Sequence, residues 1–406
     1  MKEISKQIIH FLDSTVSSKL SHTPHIHFSH EATPMLATIF HKMKEAEDEF
    51  EKAVIQEKWI NFEHTKIPRG VDYHYSPEMA RSEIEKIAKF GCIFTFKMGT
   101  REIQVSIIFE KTTQNNTRYC NDSLKRIFMW LYVSTHYAST QCSRRLNIYL
   151  YLTELKKTLP SLHEHIKQEH ANSGFTTTCS TVSEIHIYRE EEWFKVLIHE
   201  TFHNMGLDFS GMDNSQINKC ILSIFPIKTT EKCFFESYCE MWAEIMNVMF
   251  ISFLSTKTRT IDELIKKTKK MLKKEQEFSL FQCVKVLRNF GLGYEDLYST
   301  TPQAQHARLY KYKEKTPIFA YFVLKSMMMF FVGDYIHWCA IHNQGSLQFS
   351  HFDKNLIDYC GFIREHYQRI EYLQSIKLLE TWFNRHCKKI DNVKMLQTLR
   401  MSVHEF

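Results

Sequence analysis

Ile198-His199-Glu200-Thr201-Phe202-His203-Asn204-Met205-Gly206 decides how the chain is read. On a helix, residues four apart lie one turn apart on one face, so the imidazoles of His199 and His203 can both reach a single Zn²⁺. Glu200 then faces the water that such an ion activates and is placed to deprotonate it. A pattern this short arises by chance in about one random chain in ten of this length. Its surroundings have to carry the case.

Upstream, Glu184-Ile185-His186-Ile187-Tyr188-Arg189 alternates with the period of a short strand. The helix begins directly after it, with Glu190, Glu191 and Glu192 in a first turn where the helix dipole favours negative charge. Trp193, Val196 and Leu197 give it the apolar flank of a buried helix, and Gly206 offers a left-handed stop. The chain has four His-Glu pairs, beginning at 30, 163, 199 and 404, and only the third has its second histidine at the metal-binding spacing. Downstream, Phe234-Phe235-Glu236-Ser237-Tyr238-Cys239-Glu240-Met241-Trp242-Ala243-Glu244 repeats a glutamate every four residues on an otherwise apolar helix. Carboxylates stacked on such a face repel one another and are costly to bury unless paired or metal-bound, so the row is read as aimed inward.

The rest of the chain places this unit in an α+β protein. Its 406 residues can bury a sizeable core, and 31 Phe with 18 Tyr against 11 Gly and 8 Pro favour long helices over a many-turned β architecture. Residues 1–20 read as an amphipathic helix. Thr33-Pro34 opens a long helix to about Trp59, and Ser76-Pro77 opens another that ends near Gly91. Residues 93–97 and 103–109 flank Met98-Gly99-Thr100-Arg101 as a hairpin, a helix follows from about Asp122 to Tyr137, and 146–152 read as a third strand. Beyond Gly206 only helices are predicted, at about 232–254, 260–290, 316–342, 353–388 and 390–404. Three regions result: a helical extension (1–90), a unit with the sheet and the histidine helix (91–210), and a helical part with the glutamate row (211–406).

The net charge of +6 comes from 52 basic and 46 acidic residues, mostly interspersed, which does not argue for nucleic acid. One basic surface is noted at 261–275, where the capping box Thr260-Ile261-Asp262-Glu263 opens a helix carrying Lys266, Lys267, Lys269, Lys270, Lys273 and Lys274; a solvated amphipathic face accounts for it as well. His25 and His27 read as part of a polar loop rather than as ligands. Eleven cysteines without a C-x-x-C pair suggest free thiols in a reducing compartment. The N-terminal residues Met1-Lys2-Glu3-Ile4-Ser5-Lys6 lead to no apolar core and are not a secretory signal. The apolar stretch 318–332 is broken by Lys325 and Ser326 and is too short to span a bilayer. Lys325 is expected to snorkel or to pair with a carboxylate. A soluble intracellular, cytoplasmic protein is the expectation.

Across residues 184–206 and 234–247, within a layout from about 92 to 250, the chain resembles the zincin metallopeptidases, in particular the gluzincin branch. The resemblance implies a zincin-like fold: a small mixed sheet and active-site helix in an upper lobe, a mainly helical lower lobe, and here a helical N-terminal extension. It also implies a glutamate ligand from a second helix, an acidic residue one turn later that orients a ligand histidine, and an edge strand, here 184–188, that holds an extended substrate. Glu236-Ser237-Tyr238-Cys239-Glu240-Met241-Trp242-Ala243 and Lys315-Thr316-Pro317-Ile318-Phe319-Ala320-Tyr321 look like uncharacterised metalloproteases of large cytoplasmic DNA viruses, which would put the chain in a host cytoplasm or a virion. Metzincins fit less well. Gly206 is in their register, but Phe209 occupies their third-ligand position, Asp208 is one residue out, and phenylalanine cannot bind zinc.

The expected roles are these. His199 and His203 bind one Zn²⁺ per chain, with Glu236 as third ligand and Glu240 supporting a ligand histidine. The register with Glu240 as ligand and Glu244 behind it stays open. Glu200 takes a proton from water and passes it to the leaving amine of a polypeptide substrate. An oxyanion stabiliser is needed, and Tyr238, His306, Tyr310 and Tyr312 are candidates among which nothing selects. Two other functions remain: a noncatalytic interaction or structural protein on a zincin-like fold, and a zinc hydrolase acting on a non-peptide bond.

Overall fold

The alternating runs pair into one six-stranded mixed sheet in this computed structural model, which describes residues 2–20, 22–62, 65–110, 114–386 and 393–406. Its strands are β1 (Gln56–Asn61), β2 (Phe90–Met98), β3 (Arg101–Phe109), β4 (Arg145–Thr153), β6 (Gly174–Thr176) and β7 (Val182–Arg189); β5 (Ile166–Lys167) and β8 (Glu314–Lys315) form a separate pair. The order is β1-β2-β3-β4-β7-β6, with β3, β4 and β7 mutually parallel and the flanking pairs antiparallel. Gly99, at φ +57°, supplies the left-handed position that closes the tight β2–β3 turn.

Both faces of the sheet are covered. On one, Phe94, Val105, Ile148 and Ile187 pack in a continuous apolar core with the helices Gln114–Thr135 and Trp193–Asn204, and this core runs from Ile8 to Val403. On the other, Tyr149, Tyr151 and Tyr188 pack under Phe62, Tyr73, Ala80 and Ile84 from the segment before β2. A mixed α+β architecture therefore stands, with the histidine helix against the sheet and the glutamate helix (Glu236–Leu254) against the histidine helix.

Several sequence expectations are corrected. The long helix ends at Phe50 rather than near Trp59, because residues 56–61 find a full antiparallel ladder on β2, with Trp59 edge-on to Phe109. The strand before the histidine helix is not an edge: β7 is paired on both sides, and the edge is β6, hidden in a polar stretch too short to show a period. The expected helix at 390–404 is helical only at Val393–Gln397, while 387–392 lie outside the described residues. From Thr398 the chain runs through the core without regular structure. Its N–H groups go to buried carboxylates instead of to its own carbonyls, with Met401 and Ser402 donating to Glu192 and with Val403 and His404 donating to Glu275. Finally, four cysteines are not free. Cys142–Cys179 and Cys220–Cys360 are disulfides, joined across 37 and 140 residues, a pairing that spacing cannot reveal. Cysteine usage therefore no longer argues for a reducing compartment.

The expected helix at 316–342 is broken in two, Phe319–Phe330, π-helical as far as Leu324, and Val332–His342, with a bend of 93° at Phe331. Among the described residues no single helix is long and apolar enough to cross a membrane.

Candidate metal centre

The histidine helix (Trp193–Asn204) is buried over its whole length, which fixes the rotation of the face carrying His199 and His203. Gly206, at φ +65°, ends it: the Gly206 N–H donates to His203 O at 3.1 Å and the Leu207 N–H to Phe202 O at 2.8 Å. That reversal swings Asp208 back beneath His203. The helix start differs from expectation. Glu192 stands just before the first turn in a left-handed conformation, and its carboxylate serves other groups: it pairs with Lys157 at 2.9 Å and accepts from the Ser402 hydroxyl at 2.7 Å.

Three donor atoms converge. Glu236 Oε2 lies 2.9 Å from His199 Nε2 and 3.3 Å from His203 Nε2, and the two nitrogens are 3.3 Å apart. Behind them, each imidazole is held by its other nitrogen. His199 Nδ1 donates to Glu240 Oε2 at 3.0 Å, and His203 Nδ1 makes a short hydrogen bond to Asp208 Oδ2. Asp208 is itself pinned by the Cys239 thiol at 3.2 Å and by the Ser210 N–H and hydroxyl at 2.9 and 2.6 Å. With Nδ1–H committed on both rings, both Nε2 atoms are turned to one spot, where loss of the Nε2 proton would leave two lone pairs for a cation, the arrangement that metal-binding histidines take.

The electrostatics agree. Burial opposes charge on His199, but hydrogen bonds to Glu236 and Glu240 outweigh it and raise its pKa to about 9. His203 is raised well above the usual value, against its burial, by Cys239, Glu236 and Asp208. Glu236 and Glu240 are held well below the carboxylate range, because their cationic neighbours overcome desolvation. This centre is built to hold positive charge among anions, and a two-histidine, one-carboxylate donor set suits a divalent cation such as zinc. Glu200, by contrast, is raised, chiefly by burial, in the direction a general base needs.

Glu236 and Glu240 thus occupy different places: Glu236 reaches the convergence point and Glu240 reaches the back of His199. Glu244 is farther on, ion-paired with Lys325, whose ammonium also donates to Ser279 Oγ and Met401 O. A second group of three potential ligands, His203, Asp208 and Cys239, shares His203 through its Nδ1 side and acts here as its brace. None of the four expected oxyanion candidates lines the cavity beside Glu200. Tyr238 is buried, donating to Leu347 O and accepting from Asn343; His306 and Tyr310 touch each other, their rings tilted, on an outer helix; Tyr312 packs on Phe290. The tyrosine at the cavity is Tyr321, its ring 6.0 Å from that of His199. Phe209 sits in an aromatic cluster with Phe235, Phe349 and Tyr359. The lysine face of 261–275 is largely consumed: Lys274 pairs with Asp13 and Glu277, Lys273 and Lys267 donate to backbone carbonyls, and Lys269 lies over Phe28.

Edge strand β6 passes directly over Glu200. A Cβ added at Gly174 would lie 2.8 Å from His186 O and 3.3 Å from Glu200 Cγ, so only glycine lets the strand come this close. Tyr188 N–H donates to Ser173 O and Thr177 N–H to Glu184 O, which alternation turns the N–H and C=O of Gly174 and Thr176 towards the free edge. The cavity bounded by residues 171–174, Lys195, His199, Glu200, Tyr321 and Met401 measures about 30 Å³, room for a water or two.

No family model matches the chain, and no curated protein or solved structure is similar to it.

Proposed function

We propose that the chain is a zinc-dependent metallopeptidase of the gluzincin kind, on a zincin-like fold. The observation that carries the reading is the convergence of His199 Nε2, His203 Nε2 and Glu236 Oε2, each histidine braced from behind by its own carboxylate. These three residues would hold the ion, and zinc bound there would supply the Lewis acidity that brings the pKa of water towards neutrality. The chain's own groups do the rest. Glu200, one residue from a ligand and kept basic by burial, takes the water proton and returns it to the leaving amine. Tyr321 donates its hydroxyl to the oxygen on which charge develops. Gly174 and Thr176 on β6 offer the edge to an extended peptide, the place first expected of residues 184–188. A peptide is far larger than the present cavity, so the wall formed by residues 171–174, Tyr321 and Met401 has to part for substrate.

Elemental analysis of the purified chain tests the reading. One equivalent of zinc is expected, lost in a His199→Ala/His203→Ala variant. Glu200→Gln should keep the zinc and abolish cleavage of a peptide library. A metal-free wild type would leave the noncatalytic interaction reading, and zinc without peptide cleavage would leave a hydrolase for another bond.

A further inference from the structure

We propose that Lys195 is a positioning residue for the metal centre, acting on His199 through Glu240; the inference rests on the metallopeptidase reading above. Lys195 stands one turn before His199 on the same helix face, so the two side chains flank the same point on the glutamate helix. Its ammonium is ion-paired with Glu240 Oε1, while Glu240 Oε2 accepts from His199 Nδ1 at 3.0 Å. One carboxylate is thus held at both oxygens by residues four apart on one helix. Lys195 is only 3% exposed; among the described residues its other hydrogen bond goes to Met401 Sδ at 3.7 Å, and at longer range it feels the charges of Glu192, Glu244, Glu200 and Lys157. No other salt bridge involves it among the described residues.

Two consequences follow from this geometry. A carboxylate has two equivalent oxygens and a free torsion, so Glu240 on its own would turn. With Oε1 fixed by the ammonium, Oε2 stays aimed at Nδ1, which keeps the His199 proton there and the Nε2 lone pair towards His203 and Glu236. The second consequence is charge. Glu200, Glu240 and Asp208 are buried and Glu236 is largely covered, four carboxylates around one centre, and Lys195 compensates Glu240, which faces away from the ligand point. Nothing in the H-E-x-x-H pattern calls for a lysine four residues before its first histidine.

The test is a zinc titration against a chromophoric chelator on the full chain, with wild type, K195M, E240Q and the double variant. K195M is expected to bind zinc roughly 10–100-fold more weakly, and the double variant about as weakly as E240Q alone, because the ion pair that ties Lys195 to the histidine brace is the one with Glu240. Equal affinity of K195M and wild type overturns the proposal, as do losses that multiply in the double variant. If K195M does not fold, E240Q against the double variant decides alone: equal affinities support the role, and a further tenfold loss overturns it. Wild type that takes up no zinc removes the metal centre and this role together, and is seen before any substitution is made.

Discussion

Replacing Tyr321 by phenylalanine removes one oxygen and leaves the ring that packs 6.0 Å from His199. Burial first, and then the carboxylates of Glu236, Glu200 and Glu240, hold the Tyr321 hydroxyl well above its usual pKa. It is therefore an O–H donor at every working pH, in a site only 6% exposed where few waters can replace it. Losing one such donor to a developing oxyanion costs about 10²–10³ in kcat, or ~2.7–4 kcal/mol. The interaction strengthens only as charge develops, so KM should change little. The assay is cleavage of a fluorogenic peptide library by wild type and Y321F, at equal zinc content and equal thermal midpoint. A variant that keeps kcat within about threefold of wild type refutes the assignment and returns the oxyanion role to a group outside this cavity.

Two further outcomes are expected. Glu192→Gln leaves Lys157 buried without its partner and loosens the segment at 401–402, which should cost about 3–5 kcal/mol in urea unfolding; K157M/E192Q should recover much of it, and additive losses would show that the two do not act as a pair. Glu314 tests the acid side. Burial raises its pKa from 4.5 to about 7, so the folded chain holds this proton longer than the unfolded one. Its contribution is full below pH 4.5 and falls as pH rises through 7, by roughly 3 kcal/mol in all. Glu314→Gln should lack that fall, so its stability advantage over wild type grows from pH 5 to pH 8. A constant difference across that range would refute the shift.

What the sequence disclosed follows physical range. His199, Glu200, His203 and the glutamate row are local, and helical spacing alone makes them legible. The choice between Glu236 and Glu240 is not local, because both lie on one face and the relative height of two packed helices decides which reaches the nitrogens. Asp208 was read only against the metzincin register, where it misses by one; the left-handed reversal at Gly206 brings it to His203 from the other side. A polar residue two positions after a helix-ending glycine was the available signal. Lys195 was equally available, four residues before His199. Tyr321 was not, because nothing within its apolar run separates it from Phe319 or Phe322 before the break at Phe331 orients them. In sequence the three consecutive glutamates suit the helix dipole, whereas in the fold Glu191 and Glu192 pair with Arg400 and Lys157. Long-range pairing of buried charges has no sequence period.

The segment from Thr398 also sets a schedule. Glu192 and Glu275 obtain hydrogen bonds from Met401, Ser402, Val403 and His404, and Asn247 donates to His404 O. A ribosome delivers those groups about two hundred residues after the histidine helix has left the tunnel, by way of contacts far apart in sequence, the kind that form slowly. Until then Lys157, Lys195 and the glutamate helix carry buried charges with part of their environment missing. The sheet can assemble before residues 398–406 arrive, but the proposed metal centre keeps an incomplete surround until they do.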